Sequence, residues 1–402
     1  MTLFQPNATS VELFSGAGGL ALGCQLAGFR SLATLELDRW ACDTMRENKA
    51  AGHELVKDWE IYEGDVRAFD WSQLKEEVTL VSGGPPCQPF STGGRSAGAA
   101  DARDMFPSTA DILSQLWPKA FIFENVRGLT RTAFAEYFEY IQLRLSFPTE
   151  TPRRGESWHN HLVRLRSTPA SGLHYHVTQT LVNAADYGIP QHRHRVFIVG
   201  FRSDLNANWS FPNPTHSKAE LLRAQWLNTE YWDEHAVASR NRPAPPTRST
   251  LARVAASGPE GQRWRTLRDA LRGLPAPTPD GQGNFPNHHL KLGARAYKGH
   301  SGSALDMPSK TLKAGAHGVP GGENMVRFND GTVRYLTVRE SARVQTFPDD
   351  YRLHGAWGEA MRQLGNAVPV QLARVVASSV LQTLASNTLK GSSCLSNQQL
   401  ST

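Results

Sequence analysis

The sequence is poor in cysteine and in long apolar stretches, and it contains no internal repeat. Its 402 residues include four cysteines, with no Cys-x-x-Cys pair and no spacing typical of metal ligands. This predicts no metal site and favours a reducing cytoplasm over a disulfide-forming compartment. No apolar run approaches the ~20 residues that cross a bilayer, and the N-terminus lacks the regions of a secretory signal. The sequence therefore predicts a cytoplasmic protein without a membrane partner.

A strong excess of charge of either sign is also absent. Lys and Arg number 43 against 37 Asp and Glu, a formal net charge of +6, with 40% hydrophobic and 20% charged residues. This composition is typical of a globular protein, and the mild positive excess is compatible with a polyanionic partner without demonstrating one. Because 402 residues are many for one compact unit, two domains are predicted.

The stretch 81–91, VSGGPPCQPFS, carries the strongest chemical signal. An apolar run at 78–81 predicts a strand, which two glycines and two prolines end in a stiff turn. Ligands of open α/β sheets bind at the carboxyl ends of the strands, so the turn presents Cys87 at a ligand-binding edge. A cysteine that only packs is expected inside a strand or helix. This position favours a nucleophile.

Upstream, Val11 to Phe14 predicts a first strand, and a glycine-rich turn then leads into a helix that ends near Gly28. A strand, glycine turn and helix together form a cradle for a nucleotide. The pattern is not G-x-G-x-x-G, so a dinucleotide is not indicated. Taken alone, the turn fits a plain tight turn as well as a cofactor site.

Two further strand ends supply carboxylates. Glu36 ends the second predicted strand about twenty residues after the glycine turn, which suits a contact with ribose hydroxyls. Asp38 is expected to cap the next helix. Asp65 follows a third short strand. Taken alone, it is hardly stronger evidence for a binding site than an acidic residue in an ordinary turn.

At the same predicted edge of the sheet, the sequence adds a loop and an acid. The loop from Gln88 to Asp104 contains Arg95 and Arg103 and is rich in small residues. It fits either a lid that grips phosphates or a connector. Glu124 follows the strand 120–123, where it faces the same cleft as Cys87 or caps the helix predicted over about 131–145.

The alternating residues Gln191, Arg193 and Arg195 share one face of an extended segment. Three donors on one face suit phosphate or the acceptor edge of a base, and a solvated strand face is the alternative. Phe147–Ser171 is predicted to be an insertion without an assignable role. Thr337 and Glu340 form a capping box that opens a helix, and a last helix is predicted over about 370–384.

Taken in this order, the motifs resemble those of the bacterial-type cytosine-5 DNA methyltransferases. The resemblance implies cofactor contacts from Phe14, Ser15, Gly16, Ala17, Gly18, Gly19, Glu36, Leu37, Asp65, Val66, Pro86, Met105, Asn366 and Val368. It implies catalytic roles for Cys87, Glu124, Arg193 and Arg195. It also implies that DNA is bound by Ser91, Arg95, Arg103 and Gln191.

The implied fold is α/β: a Rossmann-like, doubly wound methyltransferase sheet that binds S-adenosyl-L-methionine, with a smaller target-recognition domain. Residues 1–201 and 334–390 would form the discontinuous catalytic domain, 202–333 the recognition domain and 391–402 a flexible tail. The implied reaction adds the Cys87 thiolate to C6 of a flipped-out cytosine in duplex DNA, and methylation at C5 follows. A monomer is expected, either stand-alone or paired with a restriction endonuclease that acts on the same site.

Two alternatives remain at this level. The tRNA-directed branch of the same family shares the chemistry, but its members typically carry threonine where this chain has Ser91 and have a shorter variable region. A catalytically silent DNA-binding module is the other alternative, although a mere binder has no need of a thiol beside a carboxylate.

Overall fold

The computed structural model of the chain describes residues 8–86, 104–281, 285–298, 300–315 and 324–398, with side chains as far as residue 387. Contacts divide the chain into two compact units. The first comprises Met1–Val182, His194–Pro212 and Ala373–Thr402, and the second comprises Asn183–Arg193 and Asn213–Leu372. Four predicted site residues lie outside the described residues: Cys87, Ser91, Arg95 and Arg103.

A seven-stranded sheet forms the centre of the first unit. Its strands are β1 (Thr9–Leu13), β2 (Arg30–Glu36), β3 (Ile61–Glu63), β4 (Leu80–Gly83), β5 (Ala120–Val126), β6 (Tyr175–Asn183) and β7 (His194–Arg202). Across the sheet they run in the order β3-β2-β1-β4-β5-β7-β6. Pairing is parallel from β3 to β5, and β7 is antiparallel to β5. The order reverses between β1 and β4, where such sheets bind their ligands, and the predicted doubly wound fold is confirmed.

Helices join the strands of the first unit. They are α1 (Gly19–Ala27), α2 (Arg39–Ala50), α3 (Phe106–Leu116), α4 (Ala135–Ser146) and α5 (Trp158–Arg166). As expected, Asp38 caps α2, since its Oδ1 accepts a hydrogen bond from the Ala41 amide at 3.1 Å. An apolar core of the unit lies between the sheet and α3, α4 and α5.

The predicted insertion 147–171 contains α5 and is anchored by a buried arginine. The Arg144 guanidinium donates to the carbonyl oxygens of Phe147, Pro148 and Glu150 at 3.1–3.2 Å and to the Asp111 carboxylate at 2.8 Å. These bonds fix the chain as it leaves α4, so the insertion begins as an ordered turn.

The second unit contains short elements. Its helices are α6 (Lys218–Trp226), α7 (Glu230–Glu234), α8 (Arg248–Ala256), α9 (Leu267–Leu271), α10 (Val338–Val344) and α11 (Trp357–Asn366). Its strands are β8 (His216–Ser217), β9 (Gln262–Arg263), β10 (Ser303–Ala304), β11 (Met325–Arg327) and β12 (Val333–Tyr335). The capping box expected at Thr337 and Glu340 is present at the start of α10.

Residues 334–372 belong to the second unit by their contacts, whereas the predicted catalytic domain resumes at residue 334. The reason is a shared apolar core in which Leu336 and Val344 pack with Leu267, Leu312 and Val326. The division of the chain by function is a separate matter and stays a prediction.

The last helix, α12 (Val370–Gln398), is longer than the helix predicted over 370–384, and it includes residues 391–398 of the predicted flexible tail. No proline interrupts this stretch, and extending an existing helix needs no new nucleus. The stretch Trp357–Asn387, which comprises α11 and most of α12, is long and apolar enough to cross a membrane, but 67% of its apolar window is buried. A helix buried in a protein core passes the same test.

Candidate active site

The glycine turn after β1 folds back over the carboxyl end of the sheet. Phe14, Gly16 and Gly18 all have positive φ, at 55°, 53° and 85°. That conformation is strained for phenylalanine and natural for the two glycines. The turn is held to β2 because the Ser15 amide and hydroxyl both donate to the Leu35 carbonyl at 3.0 Å. A Cβ at Gly16 would meet nothing within 4 Å, so the turn borders open space.

Glu36, at the end of β2, closes this turn from the other side. Its Oε2 accepts the Gly16 amide at 2.7 Å, and its Oε1 accepts the amides of Leu37 and Asp38 at 2.8 Å. Burial raises the pKa of Glu36, and these three hydrogen bonds oppose the rise. The neighbouring Leu37 is 70% exposed. A carboxylate and a bare apolar side chain thus lie next to the open turn.

The strand that leads to Cys87 runs beside β1 in close contact. A Cβ at Gly83 would lie 2.4 Å from the Leu13 carbonyl oxygen, so only glycine fits there. A Cβ at Gly84 would lie 3.7 Å from Glu124 Oε2, which brings the turn next to this carboxylate. Asn125 Nδ2 donates to the Pro85 carbonyl at 2.9 Å. Asn125, to which the sequence pattern assigns no role of its own, therefore fixes the turn immediately before the predicted nucleophile.

Glu124 and Arg195 form a nearly buried ion pair beside this turn. Arg195 Nε lies 2.6 Å from Glu124 Oε1, and Arg195 Nη1 donates to the His194 carbonyl at 2.7 Å. The pair arises from the register of β5 and β7, in which Val126 opposes Arg195. Burial lowers the pKa of Arg195, and the charge of Glu124 opposes this. The arrangement presents an acid and a cation at the carboxyl end of β5.

Comparisons with known proteins agree with this geometry. A family model described as "C-5 cytosine-specific DNA methylase" matches residues 8–147 and 159–382. The chain belongs to the C-5 cytosine-specific DNA methylases. The unmatched residues 148–158 lie within the predicted insertion.

Relatives cover nearly the whole of this methylase. The Type II methyltransferase M.PspPI of Psychrobacter sp. (strain TA137) is 31% identical over 381 residues, which are 93% of this chain and 79% of the relative. The Type II methyltransferase M.Eco47II of Escherichia coli is 31% identical over 385 residues, 94% of this chain and 79% of the relative.

Solved structures share the fold of the methylase. A DNA modification methyltransferase encoded within an E. coli prophage has a TM-score of 0.58 at 21% identity, covering 94% of this chain and 100% of its own. The S. pombe Dnmt2 methyltransferase has a TM-score of 0.55 at 16% identity, covering 94% and 99%. At these identities the likeness shows the fold alone.

Two residues predicted to act in catalysis or at DNA are buried in the second unit of the methylase. Arg193 donates to the carbonyl oxygens of Leu312, Gly365 and Ala367 at 2.8–3.1 Å. Gln191 donates to Gln345 Oε1 at 2.9 Å and accepts the Leu312 amide at 3.0 Å. Neither side chain has exposed surface, so both stabilise the packing of the second unit, and their predicted contacts with base or DNA stay predictions.

The other predicted cofactor residues differ in their burial and in their hydrogen-bond partners. Asp65 accepts both Nε and Nη2 of Arg67, which lowers the pKa of Asp65, so an adenine amino group would share this carboxylate with an arginine. Val66 and Met105 are buried in the apolar core of the first unit. In the second unit Asn366 is exposed and Val368 is buried. Their contacts with a cofactor stay predictions.

Replacing Arg193 by methionine is expected to lower stability by about 3 to 5 kcal/mol, because the buried carbonyl groups of Leu312 and Gly365 lose this donor and that of Ala367 keeps only Gln345 Nε2. Thermal and urea unfolding measure this decrease. Arg39→Met is the matched control, since Arg39 is exposed and its replacement is expected to cost under about 0.5 kcal/mol. Normal stability combined with abolished catalysis in Arg193→Met would restore the catalytic role.

Proposed function

We propose that this chain transfers a methyl group from S-adenosyl-L-methionine to C5 of a flipped-out cytosine within a specific duplex DNA sequence, through a covalent bond between Cys87 and C6. The products are 5-methylcytosine and S-adenosylhomocysteine. The observation that carries the proposal is the Glu124–Arg195 ion pair beside the turn that leads directly to Cys87.

The residues around the glycine turn fit S-adenosylmethionine. The turn borders open space at Gly16, Glu36 provides carboxylate oxygens at its rim, and Leu37 offers uncovered apolar surface for a flat ring. When bound, this cofactor supplies an electrophilic methyl group. Backbone groups of the turn would hold it, with Glu36 as the residue that would bind the ribose.

Cytosine C5 is a poor nucleophile, and the protein activates it. The Cys87 thiolate adds to C6, which makes C5 electron-rich. Glu124 in its protonated form donates a proton to N3, and Arg195 holds both the base O2 and the carboxylate that Glu124 then becomes. After methyl transfer, C5 loses its proton to a base, N3 returns its proton to Glu124 and the thiolate leaves C6, which restores the aromatic ring. Arg193 is left out of this scheme because its guanidinium already holds three carbonyl groups.

The target carbon is unreachable inside a duplex, so the base leaves the stack at a cost of a few kcal/mol. Contacts with the rest of the duplex must offset this cost. A segment of the second unit suits such contacts: residues 285–305 contain Lys291, Arg295 and Lys298 and no acidic residue.

This segment also holds an aromatic pair, of which the tyrosine is exposed. The rings of Tyr297 and His300 stack with centroids 4.2 Å apart and an interplanar angle of 23°, and the two residues exchange backbone hydrogen bonds of 3.2 and 2.8 Å. Tyr297 is 56% exposed and Leu292 is 71% exposed. Within the described residues neither Arg295 nor Lys298 forms an ion pair. A rigid aromatic tip among cations is typical of nucleic-acid contacts.

Replacing Arg295 and Lys298 together by glutamine is expected to make the dependence of the DNA association constant on salt shallower. The magnitude of the slope of its logarithm against the logarithm of the salt concentration should fall by about 2, because each cation is expected to neutralise one phosphate. Tyr297→Ala is expected to weaken binding by about 1 to 3 kcal/mol at all salt concentrations. Fluorescence anisotropy with a cognate duplex measures both. Lys57→Gln, on the first unit, is the control. Unchanged slopes would remove this segment from the DNA interface.

The modification half of a restriction–modification system is the biological setting we favour, because the relatives are named Type II methyltransferases. The enzyme then acts as a cytoplasmic monomer, and a cognate endonuclease would cut the same sequence. Sequencing the genes next to this one tests for such a nuclease.

The decisive experiment supplies labelled S-adenosylmethionine with duplex DNA, with tRNA and with neither. Label is expected in duplex DNA alone, and bisulfite sequencing of that DNA locates the modified cytosine and its sequence context. Transfer to tRNA alone would favour the tRNA-directed branch. No transfer at all, with DNA binding retained, would favour a silent binding module.

A further inference from the structure

A glutamate that the proposed chemistry does not use lies buried beneath the active site. Glu12 is on β1, the central strand, with only 2% of its surface exposed. The Ser82 hydroxyl of β4 donates to Glu12 Oε2, and the Cys24 thiol of α1 donates to Ser82 Oγ at 3.7 Å. The three side chains form a short polar chain within an otherwise apolar setting.

No cation within the described residues offsets a charge on Glu12. Burial raises the pKa of Glu12 to about 8, and only the hydrogen bond from Ser82 opposes this. Cys24 is the titratable group that faces it from α1, and burial together with the charge of Glu12 raises the pKa of this thiol too. The parallel partner of Glu12 on β2 is the uncharged Thr34. Below about pH 8, therefore, both acids in this cluster are neutral.

The position of the pair connects it to the site. Glu12 and Ser82 are directly opposite in the β1–β4 ladder. Two residues beyond Glu12 the cofactor turn begins at Phe14, and five residues beyond Ser82 is Cys87. Because the space between Gly83 and the Leu13 carbonyl is too small for a Cβ, a small change in the spacing of these strands is expected to move both turns.

We propose that Glu12 is a positioning residue for methyl transfer: neutral and bonded to Ser82, it fixes the end of β4 that leads to Cys87 against the end of β1 that carries the cofactor turn. This inference rests on the proposed function. Ionisation places an unpaired carboxylate between the strands, and its need for water separates them. The consequence is an alkaline loss of rate that originates outside the reacting groups.

The test compares pH–rate profiles of methyl transfer by wild type and Glu12→Gln between about pH 6.5 and 9.5. Glutamine retains an oxygen that accepts from Ser82 and cannot ionise. The wild-type rate is expected to fall above about pH 8 while the variant keeps its rate, a difference of about tenfold at pH 9. Glu76→Gln, which removes an exposed carboxylate paired with Arg30, is the matched control with the wild-type profile.

Ser82→Ala provides a second, independent test. Removal of its hydroxyl eliminates the bond that favours the Glu12 carboxylate, so the alkaline fall should move to higher pH while the plateau rate drops. Circular dichroism across the same pH range reports whether the fold persists. Superimposable profiles of Glu12→Gln and wild type, or a wild-type fall that merely follows unfolding, would overturn the proposal. Failure of the proposed function differs from both, since transfer to DNA would then be absent at every pH.

Discussion

Replacement of Cys87 by serine is expected to reduce methyl transfer by roughly 10⁴-fold or more, because a serine hydroxyl is a far weaker nucleophile toward C6 than a cysteine thiolate. Uncatalysed methylation of an unactivated C5 is the only route left. Single-turnover transfer of labelled methyl groups to a cognate duplex measures the decrease.

Binding should behave differently from transfer in this variant. Serine nearly matches cysteine in size, so duplex DNA and S-adenosylmethionine are expected to bind within a factor of about ten of wild type. A matched Cys394→Ser variant changes a cysteine of α12 that the proposed chemistry does not use. Transfer by Cys87→Ser at a rate close to that of Cys394→Ser would show that the nucleophile is elsewhere.

Replacement of Glu124 by glutamine is expected to lower the rate constant of transfer by about 10²- to 10⁴-fold, the usual contribution of a positioned acid. Glutamine occupies the same space but cannot deliver a proton to N3. The Michaelis constant for DNA should change little, because the effect concerns the transition state.

The same substitution removes the anionic partner of the nearly buried Arg195, so a lower melting temperature is expected as well. Glu77→Gln, which removes an exposed partner of Lys119, controls for the loss of an ordinary surface ion pair. Transfer by Glu124→Gln within about threefold of wild type would rule out the acid role and leave the pair as structure only.

Local signals made much of the site predictable. The glycine turn, Glu36 and the Gly-Gly-Pro-Pro stretch each follow a strand, and parallel strands bring their carboxyl ends to one edge. The structure accordingly holds Glu36 against Gly16 and brings Gly84 beside Glu124.

Long-range packing explains what sequence reasoning missed. Alternation of Gln191, Arg193 and Arg195 suggested one exposed face, but the carbonyl partners of Arg193 lie 119 to 174 residues further along the chain. Nothing in a nine-residue window signals such partners. The role of Glu12 is equally invisible in a local window, since its burial follows from contacts with β4 and α1.

The hydrogen bonds of Arg193 also determine which junctions suit a chimera of this protein with a relative. Its three acceptors, at Leu312, Gly365 and Ala367, span both sides of residue 333. A chimera that exchanged 202–333 for the matching piece of a relative would import a foreign Leu312 equivalent beside native acceptors. Exchanging 183–193 together with 213–372 transplants the arginine with all of its acceptors and keeps native β7 and Arg195, and these are the junctions we would choose for altering sequence specificity.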